Sequence, residues 1–158
     1  MTDNYIGIMI ESLRRKKDVL TDILKLSEEQ SLLLDDPNLE PDTFEKNVNR
    51  KAALIDKLEQ LDTGFESLYD KVKEELESNK EIHKEQIRQM QELIRALTEL
   101  NMQIQATEAR NKEKATAKFA YIRQQAKEIR SSQKIVKEYY NNMMHKAYNE
   151  PHFLDNKK

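Results

Sequence analysis

The sequence predicts an all-α protein: an elongated antiparallel helical bundle or coiled coil of three long helices, the C-terminal one extended or bent. Three observations carry that prediction. Glycine and proline are scarce, two and three in 158 residues, so the chain has few places to turn or to break a helix. Charged residues make up 35% and hydrophobic residues 37%, a balance that suits long helices with a narrow apolar stripe better than the thick core of an α/β enzyme. The apolar residues also recur in steps of three, four and seven, the spacing of a helical seam.

The first helix is expected over about residues 4–34, its stripe marked by Ile6, Met9, Leu13, Leu20, Ile23 and Leu34. Arg14-Arg15-Lys16-Lys17 interrupts that stripe and reads as a solvated basic face. Asp35-Asp36-Pro37-Asn38-Leu39-Glu40-Pro41 ends the helix, because each proline biases its predecessor away from the α region. The second helix follows over about 42–77, with Asp42 or Thr43 as N-cap and Glu45 in the first turn. Its seam runs from Phe44 and Val48 through Ile55, Leu58 and Phe65 to Val72 and Leu76. Asp62 on the seam and Gly64 beside it read as a local packing adjustment; an interior glycine costs about 1 kcal/mol relative to alanine.

The stripe thins near Ser78-Asn79-Lys80-Glu81, and a single helix from Pro41 to Ala147 would reach about 160 Å. A turn at 77–81 is therefore expected, followed by a third helix over 80–111. Sevens counted from Leu76 reach Met90, Leu97 and Ile104, and then the interval to Ala115 is eleven. That four-residue stutter locally unwinds a coiled coil and divides the chain into a bundle of residues 1–111 and an amphipathic segment of residues 112–147. Residues 148–158, with Pro151 among them, are expected to form a mobile tail.

Composition excludes several functions. The formal net charge is −2, so no global basic field attracts nucleic acid. With no cysteine there is no disulfide framework and no thiolate metal site. The N-terminus lacks the pattern of a signal peptide and no apolar run approaches a bilayer span; a cytoplasmic protein without direct membrane insertion is expected. Gly7 and Gly64 stand apart, so no phosphate-cradling loop forms. No Glu-x-x-His occurs for a di-metal bundle, and adjacent acids such as Glu74-Glu75 point apart on a helix. His83 is imaginable as a phosphotransfer histidine, but Glu81-Ile82-His83-Lys84-Glu85 adds nothing to support it. No catalytic, cofactor-binding or metal-ligating residue is assigned.

The informative stretch is Phe119–Met144, where an apolar stripe accompanies Arg123, Lys127, Arg130, Lys134 and Lys137. A third segment continued from Lys80 to Ala147 would measure about 100 Å, roughly twice each of the first two helices. Part of its stripe is thus left for a partner groove, for a second copy of the chain, or for folding back as a fourth helix.

Several further features together resemble the flagellar export chaperones of the FlgN type. The first helix ends in Leu26-Ser27-Glu28-Glu29-Gln30-Ser31-Leu32-Leu33-Leu34. After the acidic loop and Phe44 comes Lys51-Ala52-Ala53-Leu54-Ile55-Asp56-Lys57-Leu58-Glu59-Gln60-Leu61-Asp62, similar to the leucine-rich run of that family's core. Ile104–Asn111 and Ile129–Tyr140 resemble its later helices. The resemblance implies a cytosolic helical chaperone that binds the C-terminal helical regions of hook–filament junction proteins, prevents their premature assembly and delivers them to the type III export apparatus. It implies client contact through the C-terminal amphipathic part, here Phe119, Ile122, Ala126, Ile129, Val136 and Met143. It also implies an export-gate contact through a C-terminal tyrosine, Tyr139 or Tyr140. A chaperone of this kind is expected to be a monomer or weak homodimer when free of client. The alternative is a structural coiled-coil or adaptor protein that self-associates.

Overall fold

In a computed structural model, residues 2–125 and 130–149 are described, with side chains described through residue 124 and from 134 to 144. They form α1 (Thr2–Asp35), α2 (Pro41–Ser78), α3 (Lys84–Gln125) and α4 (Arg130–Asn149), with no strand among them. The expectation of three long helices is corrected on one point: a fourth, shorter helix exists. α3 also passes through residues 111–112 without a break, so the stutter marks no helix end.

Polar pairs fix the directions of the helices. Lys16 meets Asp62 while Gln30, further along α1, meets Lys51, so α2 descends as α1 ascends. Contacts between α1 and α3 keep a nearly constant offset, from Ser27–Glu108 through Ser31–Lys114 to Leu34–Lys118. α1 and α3 therefore lie parallel. α4 returns antiparallel along α3, with Tyr140 reaching back to Glu108. α1 packs on α2 and α3, while α4 packs on α3 and α2. Where all four are present they close a bundle with α1 and α4 on one diagonal.

One continuous core runs along this bundle. Leu13, Leu20 and Ile23 of α1, Phe44, Val48, Ile55 and Leu58 of α2, Leu97 and Ile104 of α3, and Met143 and Met144 of α4 are all buried in it. Each large apolar side chain so buried contributes about 1.5–3 kcal/mol of transfer free energy. Phe44 of α2 meets Phe119 of α3 edge to face at 5.9 Å between ring centroids, which ties the two diagonal helices at the end nearest the α1–α2 loop.

The loops have local causes. Asp36 Oδ1 accepts the Asn38 amide at 2.8 Å, an Asx turn that carries the chain through Pro37. α2 starts at Pro41 with Glu40 in extended conformation as N-cap, not with Asp42 or Thr43; proline at the first helical position loses nothing, since its missing N–H has no partner there. α1 has no basic residue in its last turn. α3 supplies the charge instead: Lys118 Nζ donates to the carbonyls of Leu34 and Asp36, and Lys114 Nζ donates to Ser31 Oγ and Asp35 Oδ2. Lys118 satisfies carbonyls at the helix end, and both lysines oppose the negative end of the helix dipole.

Three seam positions depart from the sequence reading. Lys16 is buried rather than solvated and its Nζ lies 2.6 Å from Asp62 Oδ1, while Arg14 and Arg15 stay exposed beside Glu11. Asp62 is thus the partner of a buried cation rather than a packing defect. His83, seven residues after Leu76 and seven before Met90, holds a seam position in the α2–α3 turn and is buried. Its Nε2 lies 3.5 Å from Glu75 Oε1. Counting only apolar residues passed over both Lys16 and His83.

Candidate functional site

Between the apolar layers lies a polar one, built from the seam positions of all four helices. In α1 the three–four spacing from Leu20 and Ile23 arrives at Ser27 and Gln30; in α2 it runs from Val48 to Lys51; in α3 it runs from Ile104 to Glu108 and Asn111. Lys51 has 0% exposure. Its Nζ donates to Glu108 Oε1, to Gln30 Oε1 at 3.1 Å and to Ser27 Oγ at 3.4 Å. Ser27 Oγ donates to Glu108 Oε1, and Asn111 Nδ2 donates to the Ser27 carbonyl at 2.8 Å and to Gln30 Oε1 at 3.2 Å. Burial lowers the Lys51 ammonium from its ordinary 10.5, opposed by the attraction of Glu108 and its hydrogen bond. The Lys51–Glu108 pair at its centre favours this register, because sliding a helix by one turn would bury Lys51 against apolar side chains.

Among its described residues, α4 joins this layer through Tyr140. Tyr140 is 2% exposed, and its phenol O–H donates to the backbone carbonyl of Glu108. One turn further, Met143 and Met144 enter the core, and Val136 packs against it from the turn before. α4 is thereby seated with one face on α2 and α3.

Beside Tyr140, towards the α3–α4 connection, the two helices part to form a groove of about 850 Å³. Its apolar floor is Ala115, Phe119, Ala120 and the ring of Tyr140. Lys112 and Arg123 of α3 and Lys134 and Lys137 of α4 stand along it. The groove is lined by no carboxylate among the described residues. On the opposite flank of α4, by the 3.6-residue repeat, Ile135 and Tyr139 are exposed at 51% and 41%.

The residues singled out in the sequence are distributed as follows. Phe119 and Tyr140 meet in the groove. Ile122 is half-buried on α3, and Val136 and Met143 are on the seated face of α4. Tyr139 lies on the exposed flank, so the two neighbouring tyrosines have opposite environments. Ala126, Ile129 and the tail of residues 150–158 lie outside the described residues. Sequence reasoning missed Lys112, whose signal was its eleven-residue spacing to Arg123, which returns to the same helix face. It also missed the exposed Ile135, and it missed Glu108 and Asn111, which continue the seam through the stutter as polar members. Among the described residues no cluster of His, Asp and Glu is arranged to hold a metal ion. Among them, no helix is long and apolar enough to cross a membrane.

A family model described as FlgN protein matches residues 1–146 of the chain, which takes in α1 to α3, the groove and most of α4. No curated protein and no solved structure matches it.

Proposed function

The chain belongs to the FlgN family of flagellar export chaperones, and we propose that in the cytoplasm it binds the C-terminal helical segments of hook–filament junction proteins at the end of the bundle formed by α3 and α4. The observation that carries this reading is the partly open α3–α4 seam. α4 is amphipathic and seated by Tyr140, Val136, Met143 and Met144, yet it leaves an apolar-floored groove against Phe119. A filament-type subunit has apolar helical ends that pair with one another on assembly. Burying such an end in a helical groove withholds it from assembly with no chemistry required, and a few anchors supply most of the affinity.

The two flanks of α4 suit two partners. The groove flank, with Phe119 and Ile122 behind it and Ala126 and Ile129 following in sequence, takes the client. Tyr139, exposed beside Ile135, is the residue for the export gate, and Tyr140 is the anchor that holds α4 in place. A client that competes for the seated face as well would also engage Val136 and Met143.

Sedimentation velocity of the chain alone and mixed with a junction protein tests the proposal. A monomer or weak dimer alone and a discrete heteromeric complex in the mixture are expected. A tight homodimer that ignores the junction protein would favour a self-associating adaptor instead. Charging the seated face with Val136→Glu should weaken the complex while the α1–α3 portion keeps its helical signal.

A further inference from the structure

The chain as a whole carries slightly more acid than base, 29 Asp and Glu against 27 Lys and Arg. The groove between α3 and α4 departs from that average. Three lysines stand around it, Lys112 from α3 and Lys134 and Lys137 from α4, with no carboxylate in its lining among the described residues. Lys112, Lys134 and Lys137 are exposed, whereas two other lysines of α3, Lys114 and Lys118, are committed to the end of α1. Like charges gathered on both walls of an apolar cleft repel one another unless an anion lies between them.

We propose that this groove is selective for an amphipathic helix whose apolar stripe lies on Ala115, Phe119, Ala120 and Tyr140 and whose flanks carry acidic residues that meet Lys112, Lys134 and Lys137. The inference rests on the chaperone reading for its partner: the acidic flanks belong to the client's helical end. Two walls that supply cations and a floor that supplies none fit a helix with acid on both flanks and apolar residues between. A flat anionic bilayer does not enter a concave cleft. A nucleic-acid strand would bring a continuous phosphate charge to an overall acidic chain and leave the apolar floor without a matching stripe.

The test uses two fluorescent designed helical peptides with the same leucine stripe, one flanked by glutamate and one by lysine, titrated with the full chain and followed by anisotropy. The glutamate-flanked peptide is expected to bind roughly tenfold or more tightly than the lysine-flanked one and to weaken with added salt. The variant Lys112→Glu/Lys134→Glu/Lys137→Glu should reverse the preference. If that variant loses its thermal unfolding transition, Lys112→Gln/Lys134→Gln/Lys137→Gln takes its place and should abolish the preference. Equal binding of the two peptides, binding of neither, a preference unchanged in the variants, or equally tight binding of a single-stranded oligonucleotide would each overturn the proposal. A junction protein run in parallel separates the two readings. Equal binding of it to wild type and charge-reversed chain removes the groove assignment and leaves the chaperone reading intact. No binding of it, with the peptide preference as expected, removes the client and leaves the groove.

Discussion

Replacing Lys51 by methionine removes the cation that pairs with Glu108 and leaves that anion behind. Glu108 is buried with Lys51, and its Oε2 has no hydrogen-bond partner among the described residues. In the variant its Oε1 would keep only the Ser27 hydroxyl. A carboxylate left unpaired in this way costs about 3–5 kcal/mol, a fall of roughly 6–20 °C in Tm for a chain of this size. The double variant Lys51→Met/Glu108→Leu removes both charges at similar volume. Tyr140 keeps its bond, since its acceptor is the Glu108 backbone carbonyl, and Asn111 keeps both of its acceptors. Ser27 can turn its hydroxyl to a carbonyl of its own helix. The double variant should therefore be more stable than Lys51→Met, with most of the single-variant loss recovered. Urea unfolding followed by far-UV circular dichroism measures all four corners of the cycle. A Lys51→Met variant within about 1 kcal/mol of wild type, or a double variant whose loss equals the sum of the singles, would refute the reasoning that this pair is desolvated and coupled.

Other outcomes follow from the same structure. Gly64 lies inside α2 with open space where a Cβ would stand, so Gly64→Ala should raise stability by up to about 1 kcal/mol in the same urea titration. Tyr140→Phe keeps the ring in the groove floor and loses the bond to the Glu108 carbonyl; a loss of about 1 kcal/mol is expected, read as faster amide exchange in α4 with α1 unchanged. Burial lowers the folded-state Lys51 pKa below its ordinary 10.5. As pH climbs towards 10.5 the unfolded chain therefore holds more protons than the folded one, and this group makes stability rise with pH in that window. The difference in stability between wild type and Lys51→Met, measured across the alkaline range, should carry that slope.

The all-helical fold was legible because nearly every apolar seam residue of α1 and α2 recurs at helical spacing, and because Pro37 and Pro41 punctuate the chain where it turns. The polar layer was not legible from the same count. Ser27, Gln30, Lys51, Glu108 and Asn111 keep the spacing but break the apolar pattern, so a stripe read by hydrophobicity alone shows gaps where the bundle has its buried network. The same gap made Ile104 to Ala115 read as a stutter dividing residues 1–111 from 112–147, although α3 runs straight through it. Lys16 was misread for a related reason: three of four neighbours in Arg14-Arg15-Lys16-Lys17 do point outward, and the inward member is identified by Asp62 on another helix. Length showed that two shorter helices could not cover one long final helix, but it left folding back as a fourth helix open beside a partner groove and a second copy. The amphipathic character of the final segment, with Lys134 and Lys137 on it, could be read directly. That these lysines face Lys112 and Arg123 across a cleft depends on how α3 and α4 pack, which no local pattern encodes.

The claim that matters most is that client binding belongs to the α3–α4 end of the bundle. Hydrogen exchange of the full chain, alone and saturated with a hook–filament junction protein, measures it without any substitution. New protection is expected over residues 112–123 and altered exchange over 134–144, with residues 5–20 of α1 unaffected. Protection confined to α1, or no change in α3 and α4 while the complex is intact, would contradict it.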